Sequence, residues 1–222
     1  MNLLSKAHLL LYSLPVRVPR AVVLAKSTIK VAYYLYTIIC ICICTHITTR
    51  LYTYTGLANV ASECVRLKVP RLVVISSGAI TRPDSLGFKI TNLFGGIMDY
   101  KLKGENELKK VYAEAAAAGD SSLSYVIIRP GGLGDGDAEG PGRIELNQGD
   151  TISGELASAD VAQCTIAAAL SKTIPNNVTF EMYQKDRRGP LQGKFSATSG
   201  YEQQGQNYDD MFKGLKSGEV II

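Results

Sequence analysis

The clearest hydrophobic pattern in the chain is an unbroken apolar run at residues 125–128, which follows Leu123 and Ser124. An unbroken run of this length, rich in β-branched residues, is typical of a strand that is covered on both faces. The residues Arg129-Pro130-Gly131-Gly132 stop the run abruptly and leave the backbone open to close approach. The pattern therefore predicts a central strand with an accessible carboxyl end.

Periodic segments on both sides of this run predict further helices and strands. Helical spacing of apolar residues begins at Gly56, recurs along residues 98–118, and recurs again after Ser158, which can cap that helix. Short β-rich runs at residues 72–75 and 178–183 predict two more strands. Because helices and strands alternate, the chain is expected to form βαβ units and an α/β fold on a parallel sheet.

Two stretches predict irregular chain. Residues 134–142 are rich in glycine and acid and are expected to form a mobile loop beside the carboxyl end of the central strand. Residues 185–206 have little core-forming content. A length of 222 residues is sufficient for one domain with a sizeable core but not for two domains and a leader.

Charge is divided unevenly along the chain. All 20 acidic residues lie at or after Glu63, whereas six of the 24 basic residues precede it. The formal net charge of +4 therefore belongs to the amino-terminal segment, and the remainder is mildly acidic. Since no basic surface is indicated, we expect no nucleic-acid partner. Cys64 and Cys164 fall on apolar helical positions, where free thiols behave as small hydrophobic groups.

The amino-terminal segment, residues 1–55, has a composition unlike the rest. Tyr, Thr, Ile and Cys alternate along residues 36–55, which is typical of a strand. The cysteines at positions 40, 42 and 44 would share one face of that strand, but no companion ligands follow at zinc-type spacing, so no metal site is predicted. The Thr, Tyr and His content of residues 31–49 argues against a membrane span.

Two other interpretations of residues 1–55 stay open. Translation of a dinucleotide-repeat DNA tract also produces such alternation, which would make the segment the product of a faulty gene model. Alternatively, an acid-poor segment with Ser, Lys and Arg resembles a targeting leader. A leader would be compatible with a plastid, and its absence with the cytoplasm, so the sequence assigns no compartment.

Five short motifs follow one another after residue 55. They are Gly56-Leu-Ala-Asn59, Leu72-Val-Val-Ile-Ser-Ser77, Lys101-Leu-Lys-Gly-Glu105, Ser124-Tyr-Val-Ile-Ile-Arg-Pro-Gly-Gly-Leu133 and Asp160-Val-Ala162. Together they resemble the atypical short-chain dehydrogenase/reductase family, in particular its NAD(P)-binding NmrA-like members, over about residues 56–192, with a tail at 193–222. The resemblance implies a Rossmann-like parallel sheet with flanking helices and an NAD(P) cofactor, without a choice between NAD and NADP.

The resemblance implies roles for strand-end and helical residues near the nicotinamide. Ser76 and Ser77 match serines that donate to a substrate carbonyl or to the cofactor amide, and simple strand-end capping is the alternative. Lys101 matches a lysine that contacts the nicotinamide ribose, and its alternative role is an exposed helical pair with Glu105. These three residues, Ser76, Ser77 and Lys101, are the candidate catalytic residues.

Other matched positions would form the wall of the cofactor site. Pro130, Gly131 and Gly132 match the turn beside the nicotinamide, with an ordinary strand-to-loop turn as the alternative. Arg143, after the glycine-rich loop, is a candidate for binding a phosphate or a substrate carboxylate, or is simply a solvated loop arginine. Asp160 matches a helix start, where a carboxylate favours the helix dipole in a structural role.

The chain departs from the family pattern at two places. Residues 1–55 contain no glycine, so the Gly-rich turn that grips the pyrophosphate after the opening strand is missing or replaced. The Tyr-x-x-x-Lys pair of classical members is also absent, because Ile97 stands four residues before Lys101. Tyr100 is adjacent to Lys101 in sequence and does not share its helix face. The absence of the Tyr-x-x-x-Lys pair places the chain with the atypical group.

Three functional hypotheses follow. The first is an NAD(P)H-dependent oxidoreductase or isomerase that acts on a small carbonyl substrate. The second is a redox-responsive regulator or scaffold that binds NAD(P) without catalysis. The third is an incomplete gene product that is unable to bind the cofactor and leaves an unprotected sheet edge.

Overall fold

The computed structural model describes residues 37–40, 50–93, 95–152, 154–187 and 202–220, with residues 37–40 and 50–52 as backbone alone. The strands are β1 (Thr37–Cys40), β2 (Arg71–Ile75), β3 (Ser124–Pro130), β4 (Gly132–Gly134), β5 (Ile144–Asn147), β6 (Glu155–Ala157) and β7 (Val178–Gln184). The helices are α1 (Leu57–Arg66), α2 (Leu86–Asn92), α3 (Ile97–Ala117), α4 (Ser158–Leu170) and α5 (Tyr208–Lys213). A π-helical stretch, Arg50–Gly56, leads into α1, and a 3-10 turn, Pro141–Arg143, precedes β5.

Five strands form one sheet in the order β1-β2-β3-β7-β5. The first four are parallel, and β5 is antiparallel to β7. All seven residues of β3 are buried, as its apolar run predicts. β4 and β6 form a separate parallel pair. The predicted α/β fold, with a largely parallel sheet flanked by helices, is confirmed.

Both faces of the sheet are covered because successive strand residues point in opposite directions. Leu72, Val74 and Ile127 pack with α1 and α3 on one face. Val73 and Val126 pack with α4 and α5 on the other face. This arrangement explains why residues 72–75 of β2 and 125–128 of β3 form unbroken apolar runs rather than alternating ones.

The helices follow the periodicities in the sequence. In α1 the buried positions are Leu57, Ala61 and Cys64, and α3 buries Leu108 and Tyr112 within its predicted stripe. Ser158 does not cap α4, since it is the first helical residue and its Oγ donates to the carbonyl oxygen of Gly134. The cap position belongs to Ala157, whose side chain makes no capping hydrogen bond.

Part of the segment predicted as a tail is packed into the core. Tyr208, Met211, Phe212 and Leu215 are buried against the α4 side of the sheet. Irregular chain before α5 pairs with β5 through Gln203 and Leu146, whose backbone groups exchange two hydrogen bonds. Residues 202–220 therefore belong to the same domain as the sheet.

The predicted strand at residues 36–55 is confirmed for residues 37–40 and wrong for residues 50–55. β1 pairs with β2 in parallel, while residues 50–56 are helical and pack against α3. Cys42 and Cys44, and the side chain of Cys40, lie outside the described part of the chain. Among the described residues no His, Cys, Asp and Glu cluster is arranged to hold a metal ion, and no helix has both the length and the apolar character needed to cross a membrane.

Candidate functional site

A cavity of about 240 Å³ lies at the carboxyl ends of β2, β3 and β7. The loop after β2 and the turn after β3 form one wall, and β7 forms the floor. Helices α2 and α3 contribute Gly87, Thr91 and Met98 to the remaining side. The carboxyl edge of a parallel sheet is where α/β proteins bind their ligands, so this cavity is the candidate site.

The loop after β2 is held against β3 by backbone hydrogen bonds. The Ser76 N–H donates to the Ile128 carbonyl and the Gly78 N–H donates to the Pro130 carbonyl, each at 2.7 Å. A Cβ on residue 78 would lie 3.1 Å from the Pro130 oxygen, so a glycine permits this approach. Ser77, between these two contacts, lines the cavity.

Asp150 fixes the rest of that loop. Its carboxylate accepts hydrogen bonds from the Ala79 N–H at 2.8 Å, the Thr81 N–H at 3.0 Å and the Thr81 hydroxyl at 2.7 Å. It also lies 3.4 Å from the Nε of Arg82, whose guanidinium lines the cavity. Asp150 is 1% exposed, so its negative charge acts in a setting that water screens poorly.

A network of buried ion pairs lies behind the cavity. The Arg129 guanidinium donates to Glu105 at 2.6 and 3.2 Å and contacts Glu219 at 2.6 Å. Lys109 bridges the two carboxylates, at 3.7 Å from Glu105 and 2.5 Å from Glu219. Burial raises the pKa of Glu219, but Arg129 and Lys109 outweigh it, so the net shift is downward. Within this network the Arg129–Glu105 pair is fully buried, and breaking a buried pair by removing one partner costs about 3–5 kcal/mol.

Glu181 connects this network to the cavity. It stands beside Arg129 on the neighbouring strand, with its Oε1 3.4 Å from a guanidinium nitrogen. Its Oε2 accepts the Asp150 N–H at 2.9 Å, and the residue is 2% exposed. Burial and the charge of Asp150 raise the pKa of Glu181 to about 8, although Arg129 lowers it.

The predicted catalytic residues Ser76 and Lys101 are brought together in a small hollow at the end of β2, whereas Ser77 lines the cavity itself. The ammonium of Lys101 donates to the Ser76 carbonyl at 3.2 Å, so α3 places it at the end of β2. Glu105, the alternative partner of Lys101, instead holds Arg129 with both carboxylate oxygens. Their catalytic roles stay predictions.

The Pro130-Gly131-Gly132 turn lines the cavity as well as joining β3 to β4. A Cβ at residue 131 would lie 2.1 Å from the Gly154 carbonyl oxygen, so that side of the glycine faces the protein's own chain. The Gly131 N–H donates to Met182, and the Gly132 N–H donates to the same Gly154 oxygen, both at 2.9 Å. Packing within the protein therefore already requires the small residue, and a role in cofactor binding stays a prediction.

Arg143 and Asp160 are placed away from the cavity wall. Arg143 is exposed and pairs with Glu139 at 3.4 Å and with Asp186 at 2.5 Å, as expected for a loop arginine with surface partners. Asp160 is buried at the start of α4 and accepts the N–H groups of Glu139 and Gly140 at 3.1 and 2.9 Å. The loop predicted to be mobile is thus tied to α4.

Sequence reasoning did not select Arg129, Glu181 or Asp150 as site residues. A signal was present for the first two, because each is a charged residue within a strand that is buried at every position. A buried charge requires a partner, so Arg129 and Glu181 on neighbouring strands formed a predictable pair. Asp150 carries no such signal, because it lies in a turn after β5.

Most of the chain matches a known protein family. Residues 21–172, more than half of the sequence, match the NAD(P)H-binding family. The chain belongs to this family. The match agrees with the predicted resemblance to the NAD(P)-binding atypical short-chain dehydrogenase/reductase group. It begins at residue 21, within the amino-terminal segment of unusual composition, residues 1–55. The NmrA-like subgroup stays a prediction. No curated protein matches the sequence.

Several solved structures are similar in fold. The oxidoreductase ylbE from Lactococcus lactis is 18% identical, with a TM-score of 0.50, over 62% of this chain and 57% of that chain. The anaerobillin reductase ChuY from Escherichia coli O157:H7 is 22% identical, with a TM-score of 0.47, over 63% and 62%. A short-chain dehydrogenase/reductase from Veillonella parvula, solved with NADP, is 14% identical, with a TM-score of 0.45, over 64% and 62%. The chain spans about three fifths of these proteins.

The described residues fit one end of a dinucleotide. A cavity of 240 Å³ is smaller than the roughly 300–1,000 Å³ of pockets that enclose a drug-sized ligand. It has room for a nicotinamide ring with a small substrate beside it but not for a whole dinucleotide. Its wall combines three glycines of the loop after β2 and the turn after β3 with Ser77, which suits a flat ring that carries an amide.

Proposed function

We propose that this protein is an NAD(P)H-dependent oxidoreductase that reduces a small carbonyl substrate in the cavity at the carboxyl ends of β2, β3 and β7. The observation that carries the proposal is the position of that cavity. It lies at the ligand-binding edge of a parallel sheet, in a chain that belongs to an NAD(P)H-binding family. The preference between NAD and NADP is left open.

The chain's own residues would hold the nicotinamide end. Ser77 lines the cavity, and Lys101 lies in the adjoining hollow, where it is fixed at the Ser76 carbonyl. Pro130 and Gly131 offer a backbone surface against which a ring can pack. When bound, the reduced nicotinamide supplies a hydride to an electrophilic carbon. Buried neighbours hold the loop after β2 in place, which orients both serines before the substrate arrives.

The proposal covers the nicotinamide end of the cofactor alone. No glycine precedes Gly56, so the Gly-rich turn that holds a pyrophosphate in the family is not provided by this sequence. Residues 41–49, which connect β1 to the helical stretch, lie outside the described residues. We therefore expect weaker cofactor binding than in a protein with the complete turn.

Calorimetric titration with NADPH and with NADH tests cofactor binding. Lys101→Met should weaken NADPH binding about tenfold, because a hydrogen bond to a charged group contributes about 1.5–3 kcal/mol. Lys103→Met is the matched control, since Lys103 is two residues away on the same helix and lies over the Tyr100 ring on the exposed side. Equal affinities for wild type and both variants would remove Lys101 from the site, and no binding by the wild type would refute the proposal.

Reduction of benzaldehyde and 2,3-butanedione, followed by the loss of reduced-nicotinamide absorbance, tests catalysis. Both aldehyde and diketone are small enough for the cavity and carry no charge. Turnover that saturates with NADPH supports the oxidoreductase. Tight NADPH binding with no turnover would contradict it and favour the regulator or scaffold hypothesis.

A further inference from the structure

We propose that Glu181 is a catalytic residue that holds a proton in the cavity wall and delivers it to the oxygen of the substrate carbonyl as the hydride reaches the carbon. The inference rests on the proposed function and assigns the proton source that reduction requires. It is carried by the position of Glu181, by the charges around it, and by the hydrogen bonds available to its carboxylate form.

The position of Glu181 in the cavity lining is the first observation. Among the described residues that line the cavity, Glu181 is the one carboxyl group. Other hydroxyl groups there are poorly suited to release a proton. The Tyr183 hydroxyl donates to Glu145 at 2.6 Å, and Ser77 and Thr91 are aliphatic alcohols. A general acid needs a pKa near the working pH, and the pKa of about 8 that burial and Asp150 produce at Glu181 meets this condition.

The charges around Glu181 also indicate a protonated form. We define the cavity cluster by its ion pairs, as the cations Arg82, Lys109 and Arg129 and the carboxyl groups Glu105, Asp150, Glu181 and Glu219. Four carboxyl groups thus face three cations. Three of the four contact Arg129, and of these Glu181 has the longest contact, at 3.4 Å against 2.6 Å for Glu105 and Glu219. The fourth, Asp150, is instead held as a carboxylate by three hydrogen bonds from residues 79 and 81. The proton that balances the cluster is therefore assigned to Glu181.

The groups around Glu181 also suit the transfer of its proton to the substrate. A bound reduced nicotinamide would supply the hydride, and with it the electron pair, for the new C–H bond of the substrate. The carbonyl oxygen then takes the Glu181 proton, which gives an alcohol, NAD(P)⁺ and a Glu181 carboxylate. That carboxylate lies 3.4 Å from Arg129 and accepts the Asp150 N–H at 2.9 Å. These groups hold the charge until water restores the proton through the open side of the cavity.

Direct titration tests the proton without reference to activity. The full chain labelled with ¹³C-glutamate is titrated by NMR, and the Glu181 carboxyl signal is assigned by its loss in Glu181→Gln. We expect a midpoint near pH 8. In Asp150→Asn the midpoint should fall, because the negative charge that opposes ionisation is gone. A midpoint below about pH 5.5, one unit or so above an ordinary glutamate, would overturn the inference.

Kinetics with NADPH and the two carbonyl probes test delivery. Glu181→Gln should lower kcat about 100-fold or more, in line with the usual contribution of a general acid, while NADPH affinity is unchanged. The wild-type kcat/KM should fall as the pH rises through about 8. Glu114→Gln, an exposed glutamate on α3, should match the wild type. A Glu181→Gln enzyme within threefold of wild type, with the same pH profile, would overturn the donor role.

The outcomes separate the two proposals. If the wild type binds NADPH and turns over but Glu181→Gln does as well, the oxidoreductase stands and the donor role fails. If the wild type shows no turnover, the proposed function and the donor role fail together, whatever Glu181 titrates at. If Glu181→Gln does not fold, Asp150→Asn decides: an alkaline limb that moves to lower pH supports the donor role, and an unmoved limb overturns it.

Discussion

Replacing Gly131 with alanine measures how closely the turn after β3 approaches the protein's own chain. The added Cβ would lie 2.1 Å from the Gly154 oxygen, whereas a normal carbon–oxygen contact is about 3.3 Å. The two segments must therefore separate by about 1 Å. Overpacking of this kind costs about 1–3 kcal/mol. The hydrogen bonds that Gly131 and Gly132 donate at 2.9 Å contribute about 0.5–1.5 kcal/mol each, and the separation weakens them.

The expected loss of stability is about 2–4 kcal/mol, which for a chain of this size lowers Tm by about 5–15 °C. Differential scanning calorimetry measures this shift. Gly136→Ala is the matched control, because a Cβ there meets no atom within 4 Å. If the Tm of Gly131→Ala lay within about 2 °C of the wild-type value, the close approach to Gly154 would not explain why position 131 is a glycine. Weaker NADPH binding in that variant would then favour a cofactor role for Gly131.

Three further predictions concern buried carboxyl and thiol groups. Asp160→Ala should lower the free energy of unfolding by about 1–3 kcal/mol. It should also speed amide hydrogen exchange at Glu139 and Gly140, because their N–H groups lose their acceptor. Asp137→Ala, an exposed position in the same loop, is the control and should have neither effect. Burial and Asp150 raise the pKa of Glu181 from 4.5 to about 8, so the folded state retains a proton that the unfolded state releases between these values. Denaturant titrations should show wild-type stability falling across that window by about 5 kcal/mol, and Glu181→Gln should lack this fall; parallel curves would contradict the assignment. Cys164 is fully buried, and burial with nearby Asp160 raises its pKa, so mass mapping after treatment with a thiol reagent should find it unlabelled until the protein unfolds.

Local pattern was sufficient for the elements that form the centre of the domain. The apolar run of β3 predicted a strand covered on both faces, and the stripes of α1 and α3 predicted their buried sides. These predictions succeed because burial in a strand or helix repeats at a fixed period along the chain. Two short elements, α2 and β5, were not predicted from the sequence pattern. α2 and β5 have seven and four residues, too few for a period to stand out.

In the candidate site, too, some positions could be predicted from local sequence and some contacts could not. The positions of Ser76, Ser77 and the Pro130-Gly131 turn were predictable, because each follows directly from the end of a recognisable strand, while their roles stay predictions. The role of Lys101 was inferred from the resemblance alone and also stays a prediction, and its contact with the Ser76 carbonyl could not be predicted from the sequence. The phosphate or carboxylate role of Arg143 depended on loop position alone and stays a prediction; in the structure the side chain pairs with two carboxylates.

The sequence by itself determined the strands and helices of the centre, their alternation, and the edge of the sheet where a ligand binds, because these depend on residues near one another in the chain. Tertiary structure alone decided that residues 202–220 complete the core and that Glu181 meets both Arg129 and Asp150. The three residues lie on β3, β7 and the turn after β5, and their distances depend on strand order and register. A proton held in the cavity wall is therefore a property of the assembled sheet, since charges and burial act through space and not along the chain.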